Sequence, residues 1–335
     1  SYLDKYRLSE LCLKKAISLN DNDAMYHQSL GRALFLQGKL RESFHCYKEA
    51  LKIAPNDLAI RSSFLFILNF IPDIPSQTLL NYHFNWGKIL SKNENSKYLH
   101  SNTPNPKKTI KVGYVSGDFR RHSVAYFFLP IVMHHNRDKV HVTCYSSNIL
   151  DDAITEQIKS YVECWRDVRN LTKEETARKI NEDEIDILID LSGHSSHSCL
   201  EAFSFRPSPI QGSYLGYPNT TGLGDIDFRL TDFLADPETS QMDYTEDLIY
   251  LPKGFLCFLP PNLSISVEEA PCLSQGKVTF GSFNALPKIN PNVISLWIEI
   301  LQKVENSQLL LKNKSFSDSS VRHYFLELFT KNGID

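Results

Sequence analysis

Beyond Thr109 the chain alternates short apolar runs with helix-length amphipathic segments, and no other feature restricts its fold as much. "TIKVGYVS" (109–116), "KVHVTCYS" (139–146) and "IDILIDLSG" (185–193) read as strands, and 123–134, 151–162 and 172–183 read as helices. Short apolar runs without regular polar alternation suit strands covered on both faces. Strands separated by helix-length segments must be joined by crossovers, which gives a parallel sheet. "PIQGSYLGYP" and "DIDFRLTDFLADP" add two more short strands. After a turn-rich stretch at 252–276 the pattern restarts with "KVTFGSFN", a helix over 292–304, "SQLLLKN" and a helix over 318–330. A doubly wound domain usually has about five or six strands, so this last part is expected to be only the beginning of a second α/β domain.

Ahead of the alternation, "AISLNDND" (16–23) and "ALKIAPND" (50–57) recur 34 residues apart. That is the period of the tetratricopeptide helix–turn–helix repeat. One complete unit runs from Ala24 to Asp57, with Leu30–Gly31, Leu34, Tyr47, Ala50 and Pro55 at the positions that interlock the two helices and Gly38 at the turn. It departs from the pattern at His27, where a large aromatic is usual, and at Ser43, where Ala is usual. A solenoid needs roughly three repeats to stand alone, so more are expected before Ser1. Residues 76–100 read as one or two further helices, and "SNTPNPKKT" (101–109) as a boundary. The expected organisation is a repeat region over 1–75, a helical linker over 76–108, an α/β lobe over 109–260, and a connector with two βα units over 261–335.

Charge and composition exclude several classes. The net charge is −3, with 15 Lys/Arg against 9 Asp/Glu in residues 1–108 and 21 against 30 in the remainder. A nucleic-acid-binding domain normally shows a concentrated basic face or a pI above about 9, and the sequence pI here is 6.4, so no nucleic-acid partner is expected. The longest apolar stretches, 64–68 and 124–133, fall short of the ~20 residues a membrane span needs, so no membrane partner is expected either. The seven cysteines are widely spaced and odd in number and form no C-x-x-C pair, which fits a reducing compartment better than a disulfide framework or a zinc site. The chain starts at Ser1 without a signal-type apolar core, so it is expected to be cut at its N-terminus.

In open α/β sheets ligands bind outside the carboxyl ends of the strands, which singles out four loops. In "SGDFRRHSVAYFF" His122 stands at a helix start, where it could act as a general base, hydrogen-bond a substrate hydroxyl, or simply cap the helix. The loop lacks the G-x-G-x-x-G spacing of dinucleotide sites. "DLSGHSSHS" carries Gly193, His194 and His197, without the third ligand a metal would need, so no metal is expected. "LGYPNTTGLGD" gathers Gly216, Tyr217, Pro218, Thr220, Thr221, Gly222 and Gly224, either as a tight turn or as a loop built for close approach of a ligand. "FGSFNALPKINP" places Asn284 and Lys288 just before a helix start at Pro291, where a Lys and backbone N–H groups could cradle a diphosphate or the Lys could be merely solvated.

Taken in order, the repeats and the segments "VGYVSGDFRRHSVAYFF", "DILIDLSGH", "RPSPIQGSYLGYPNTTGL", "DFRLTDFLADP", "YLPKGFLCFLPP" and "TFGSFNALPKINP" resemble the O-linked N-acetylglucosamine transferase family, in particular its SPINDLY branch. The resemblance covers essentially the whole chain. It implies an α/β protein with an N-terminal all-α part: tetratricopeptide hairpins, a Rossmann-like glycosyltransferase lobe of the GT-B type, and the start of a second Rossmann-like lobe. It further implies inverting, metal-independent and cofactor-free transfer of a sugar from a nucleotide-sugar donor to Ser/Thr of proteins. The donor would be UDP-N-acetylglucosamine or GDP-fucose, with the former slightly favoured. Acceptor proteins would be recruited by the repeats, in a cytoplasmic or nucleocytoplasmic setting.

By the same resemblance, the family's cleft histidine falls on His122 and its diphosphate-contacting lysine on Lys288. His194, Gly216, Tyr217, Pro218, Thr220, Thr221 and Gly222 would line the cleft from the first lobe, and Asn284 from the second. Ala285 stands where family members tend to carry Gln or Asn, which removes one possible phosphate contact. The remainder of the donor-binding lobe is expected beyond Asp335, so the 335-residue piece alone is expected to be inactive. Two other readings stay open: a non-catalytic tetratricopeptide scaffold with a degenerate lobe, and a nucleotide-sugar enzyme acting on small acceptors. The sequence downstream of Asp335 would separate the first from an enzyme, and a concave helical solenoid disfavours the second.

Overall fold

The recurrence at 34 residues places Asp23 and Asp57 at equivalent points, and each caps the helix that follows. The computed structural model describes residues 6–92, 97–105, 107–260 and 265–334. Its first helices are α1 (Tyr6–Leu19), α2 (Ala24–Leu36), α3 (Leu40–Ile53) and α4 (Leu58–Leu68). Asp23 accepts the N–H of Met25 at 2.8 Å and Asp57 that of Ile60 at 2.8 Å, relieving helix-start donors that would otherwise lack partners. The two departures from the repeat pattern also find partners. The Ser43 hydroxyl donates to the Gly31 carbonyl at 2.7 Å, and the His27 ring to the Asp21 carbonyl at 2.9 Å. Tyr47 and Ala50 are buried, and the Tyr47 ring lies where a side chain on residue 31 would stand, so α2 and α3 close on Gly31.

Helix α5 (Ser76–Lys92) fills most of the stretch expected to hold one or two helices. There follow β1 (Ile110–Ser116), α6 (Ser123–His134), β2 (Val140–Ser146), α7 (Ala153–Lys159), β3 (Cys164–Asp167), α8 (Lys173–Glu182), β4 (Ile187–Asp190), β5 (Ile210–Ser213), β6 (Phe228–Thr231) and β7 (Asp247–Tyr250). Among the described residues these strands form one seven-stranded sheet in the order β3-β2-β1-β4-β5-β6-β7, every neighbouring pair parallel. The chain starts at the centre, runs to one edge, returns and runs to the other, which is the doubly wound topology. The last five residues of β1 and of β2 are buried, as strands covered on both faces must be. Phe119, Phe128, Val132, Val142 and Ile158 are fully buried in the core between the sheet and α6 and α7.

Two strands were not legible as such. β3 lies between the segments read as helices over 151–162 and 172–183, and β7 lies just before the turn-rich stretch at 252–276, both in chain to which no element was assigned. Both are four-residue edge strands, paired on one side only and partly exposed, so neither needs the unbroken apolar run that marks β1.

The final portion holds α9 (Pro271–Gln275), β8 (Val278–Ser282), α10 (Pro291–Lys303), β9 (Ser307–Leu311) and α11 (Ser319–Thr330), with β8 and β9 parallel. The chain divides into two compact units. One comprises 1–60, 67–73 and 262–335, and the other 61–66 and 74–261. The linear division at 75, 108 and 260 follows element type, whereas compactness groups the repeat helices with the C-terminal βα units. Residues 93–96 and 106 of the expected linker and 261–264 of the expected connector lie outside the described residues.

In the second unit α5 comes so close to the loop after β5 that no side chain fits between them. A Cβ on Gly87 would sit 1.9 Å from the Gly222 carbonyl oxygen. Gly87→Ala is therefore expected to destabilise this unit by about 3 kcal/mol, because a clash with backbone cannot be relieved by rotating a side chain. Urea denaturation of the variant beside the parent chain measures this, and an unchanged midpoint would contradict the packing.

Candidate functional site

The strand order reverses between β1 and β4, so the loops after these strands flank the crevice where doubly wound sheets hold ligands. The Gly117 N–H donates to Ser192 Oγ at 3.2 Å, joining the two loops. The first loop is fixed from below. The Asp118 N–H donates to Ser116 Oγ at 3.0 Å, and the Phe119 carbonyl accepts from Asn148 Nδ2 and Thr155 Oγ1, each at 2.7 Å. Phe119 itself packs on Phe128 and Trp165. His122 follows as the N-cap of α6, with its side chain 39% exposed.

The His122 ring has two possible arrangements at Nδ1. The Val124 N–H lies 3.4 Å from it, and Asp118 Oδ2 lies 3.5 Å from it. When Nδ1 caps the helix, the neutral ring carries its proton on Nε2 and can only donate there. When Nδ1–H turns to Asp118, Nε2 offers a lone pair and becomes a base. Burial holds the imidazole below its usual pKa, against the pull of Asp118 and assisted by Arg120, which favours the neutral ring a base requires. Asp118 is buried and also takes Arg120 Nη2 at 3.1 Å. Sequence inspection did not single it out, although it lies four residues before His122.

His194 is placed differently from a group aimed at a ligand. It is buried, its Nε2–H donates to the Thr221 carbonyl at 2.8 Å, and its Nδ1 therefore accepts from the Ser62 hydroxyl at 2.8 Å. Trp86 packs edge-on against it at 4.6 Å. His83 behaves alike, donating from Nδ1 to the Leu79 carbonyl at 2.8 Å and accepting the Tyr217 hydroxyl at Nε2 at 2.7 Å. Both rings act as struts that tie α4 and α5 to the loops after β4 and β5.

The loop after β5 is likewise a built turn. Tyr217 is buried, held by His83 at its hydroxyl and by Arg229 Nη1 at its carbonyl, 2.8 Å away. Thr220 and Thr221 are buried and serve Glu246: Thr220 Oγ1 donates to Oε2 at 2.6 Å, while the Thr221 N–H, at 2.7 Å, and its hydroxyl donate to Oε1. Gly216 presses on the Leu191 carbonyl, and Gly222, at φ +72°, on that of His83. Pro218 is exposed and Asn219 half-buried, so these two form the accessible tip. Glu246 and Asp190 are buried carboxylates that the sequence analysis did not single out; Glu246 takes its partners from the loop after β5, whereas Asp190 takes them from its own loop. Asp190 accepts the N–H of Gly193 at 2.6 Å and of Ser192 at 3.3 Å.

In the other unit, a 3-10 turn over Leu286–Lys288 follows β8. Leu286 and Pro287 are buried while Lys288 is exposed, and Lys288 has no side-chain partner among the described residues. Asn284 is exposed, and its carbonyl accepts Asn313 Nδ2 at 3.1 Å, which joins the loops after β8 and β9. Asn290 caps α10 by accepting the Val293 N–H at 3.0 Å. Among the described residues no group of three or more His, Cys, Asp or Glu is arranged to hold a metal ion, and no helix is long and apolar enough to cross a membrane.

A tetratricopeptide-type hairpin, a doubly wound parallel lobe with a histidine at its switch point and a further βα pair define the class as a repeat-bearing, Rossmann-like α/β protein. Residues 84–260 match glycosyl transferase family 41, and residues 24–57 match the tetratricopeptide repeat. The chain belongs to glycosyl transferase family 41. It is 37% identical over 289 residues to the tomato (Solanum lycopersicum) protein named "Probable UDP-N-acetylglucosamine–peptide N-acetylglucosaminyltransferase SPINDLY", covering 85% of this chain and 31% of that protein. An Arabidopsis thaliana relative, SEC, named likewise a probable UDP-N-acetylglucosamine–peptide N-acetylglucosaminyltransferase, is 35% identical over 214 residues, 61% of this chain and 22% of its own. A solved mutant of the Thermobaculum terrenum O-GlcNAc transferase superposes with a TM-score of 0.93 at 30% identity, covering 98% of this chain and 62% of that one. The chain thus spans about a third of the length of the plant SPINDLY proteins it matches.

The buried imidazoles set an acid limit on stability. Burial depresses His83 to about 4 and His194 to about 3, from an ordinary 6.5. As pH falls below 6.5 the unfolded chain takes up these protons and the folded chain does not. Each ring then costs up to about 1.4 kcal/mol per pH unit. Asp190 works in the opposite sense: burial pushes it up to about 6, so the folded state takes its proton first and recovers part of the loss down to its ordinary 3.8. Melting temperature is expected to fall between pH 6.5 and 4.5, and more steeply in Asp190→Asn. Thermal melts across that range check the sign, and an equal slope in the variant would contradict the assignment.

Proposed function

We propose that the parent protein transfers N-acetylglucosamine from UDP-N-acetylglucosamine to Ser/Thr hydroxyls of proteins with inversion, and that this 335-residue piece alone is inactive. The observation that carries this reading is the coincidence of the family match over 84–260 with the lobe whose switch-point loop presents His122. In the proposed reaction the acceptor oxygen attacks the anomeric carbon as the bond to the diphosphate oxygen breaks. The hydroxyl proton passes to a base, and the nucleoside diphosphate leaves with the bonding pair. His122, in the tautomer with Nδ1–H toward Asp118, suits the base or an acceptor-positioning group. Lys288, exposed beside a helix start, suits stabilisation of charge growing on the leaving diphosphate.

The donor assignment draws on the names of the tomato and Arabidopsis relatives, which specify UDP-N-acetylglucosamine, while GDP-fucose finds no support there. The built turn Gly216–Gly222, with Pro218 and Asn219 at its tip, would border the acceptor, and Asn284 would stand near the donor beside Lys288. Acceptor proteins would be recruited through the tetratricopeptide repeats, and a reducing, cytoplasmic or nucleocytoplasmic setting suits seven free cysteines.

The full-length protein, incubated with acceptor protein and either UDP-N-acetylglucosamine or GDP-fucose, is expected to add one N-acetylhexosamine per site by intact mass. Lys288→Ala is expected to lower the rate by roughly 10²–10³-fold and His122→Ala by roughly 10²-fold or more. A deoxyhexose gain would reassign the donor. No transfer with either donor and no nucleotide binding by calorimetry would leave a tetratricopeptide scaffold.

A further inference from the structure

We infer that the tetratricopeptide hairpin positions the Lys288 turn, so that the repeat region acts on the donor end of the reaction as well as on acceptors. This rests on the donor-side role proposed for Lys288, and its geometry lies wholly within the unit that combines residues 1–60 with 262–335.

Three contacts from the repeat helices reach the carboxyl ends of β8 and β9. At the α2–α3 turn Gly38 adopts φ +79°, and a Cβ there would stand 3.0 Å from Phe325 Cζ of α11 and 3.4 Å from the Leu286 carbonyl oxygen. That same carbonyl accepts the Ile289 N–H at 2.9 Å, which closes the turn carrying Lys288. In the loop after β9, Ser315 Oγ donates to the carbonyl of Leu36, the last residue of α2, at 3.3 Å. At the start of α1 the Arg7 N–H donates to Asp318 Oδ2 at 3.3 Å, the carboxylate that caps α11, and Tyr6 packs on the cluster of Leu286, Ile294, Phe325 and Phe329.

The loops after β8 and β9 are also joined to each other, by Asn313 Nδ2 donating to the Asn284 carbonyl, so a contact made by one bears on the other. The buried Leu286–Pro287 step is seated against the repeat hairpin at Gly38, and the exposed Lys288 ammonium takes its position from that seat. Gly38, Phe325 and Ser315 are positioning residues in this sense. A displacement near 1 Å at a charge-stabilising group is enough to cost about 10²-fold in rate, so the coupling matters even though none of the three need touch substrate.

The test uses the full-length protein. Gly38→Ala forces a side chain into a left-handed backbone position and against the Phe325 ring, and Phe325→Leu in the same chain withdraws the ring. Hydrogen exchange followed by mass spectrometry is expected to show the amides of Lys288 and Ile289 exchanging at least tenfold faster in Gly38→Ala, with α3 and α10 unchanged. The kcat is expected to fall at least tenfold while the KM for the nucleotide-sugar changes by less than about threefold, and the double variant should recover most of the loss. If Gly38→Ala does not fold, Ser315→Ala, which removes one hydrogen bond, should move the same two readouts in the same direction by about threefold. Unchanged exchange at Lys288 and Ile289, or an equal rise across the whole unit, overturns the proposal. Wild-type protein that shows no transfer and no nucleotide binding would instead overturn the donor-side role of Lys288, while the exchange data would still report whether the hairpin holds the turn.

Discussion

A parallel sheet exposes no face that water can satisfy cheaply, so its strands must be covered on both sides and connected by crossovers. Much else in the second unit follows from this. The crossovers place α6, α7 and α8 against the sheet and bring the loops after β1 and β4 side by side where the winding reverses. His122 sits at that reversal because α6 must begin there, and it caps the helix it precedes.

The loops at this end are held by buried polar groups rather than by apolar packing. His83, His194, Tyr217, Thr220, Thr221 and Glu246 all find partners, and each ring nitrogen of the two histidines is engaged. Buried polar networks specify geometry well when every member is satisfied, because any rearrangement strands a donor or acceptor away from water. The arrangement also explains why the loop after β5 presents only Pro218 and Asn219. Its other residues serve the scaffold, with Gly216 and Gly222 admitting backbone contacts that a Cβ would block.

In the other unit the repeat helices and the C-terminal βα units share one apolar cluster. Two parallel strands and two crossing helices supply a small apolar cluster, and the repeat helices contribute Tyr6 and the Gly38 turn to it. The tetratricopeptide hairpin here is therefore part of the folded core that carries Lys288. Its two departures from the repeat pattern, His27 and Ser43, are each satisfied by a carbonyl and leave the hairpin geometry intact.

By itself the sequence determined the doubly wound lobe, the repeat from Ala24 to Asp57, and the positions of His122 and Lys288 at strand ends, because hydrophobic period and turn chemistry are local properties. It did not determine the edge strands β3 and β7, which are short, half-exposed and stabilised by pairing with a neighbour far along the chain. Nor could it distinguish His194 as a strut from His122 as an accessible group, since both follow strands. Only the tertiary structure decided that, by burying one ring between Ser62 and the Thr221 carbonyl and leaving the other partly exposed beside Asp118. The Ser62 hydroxyl that closes over His194 comes from 132 residues away in the chain, and no local pattern encodes such a partner.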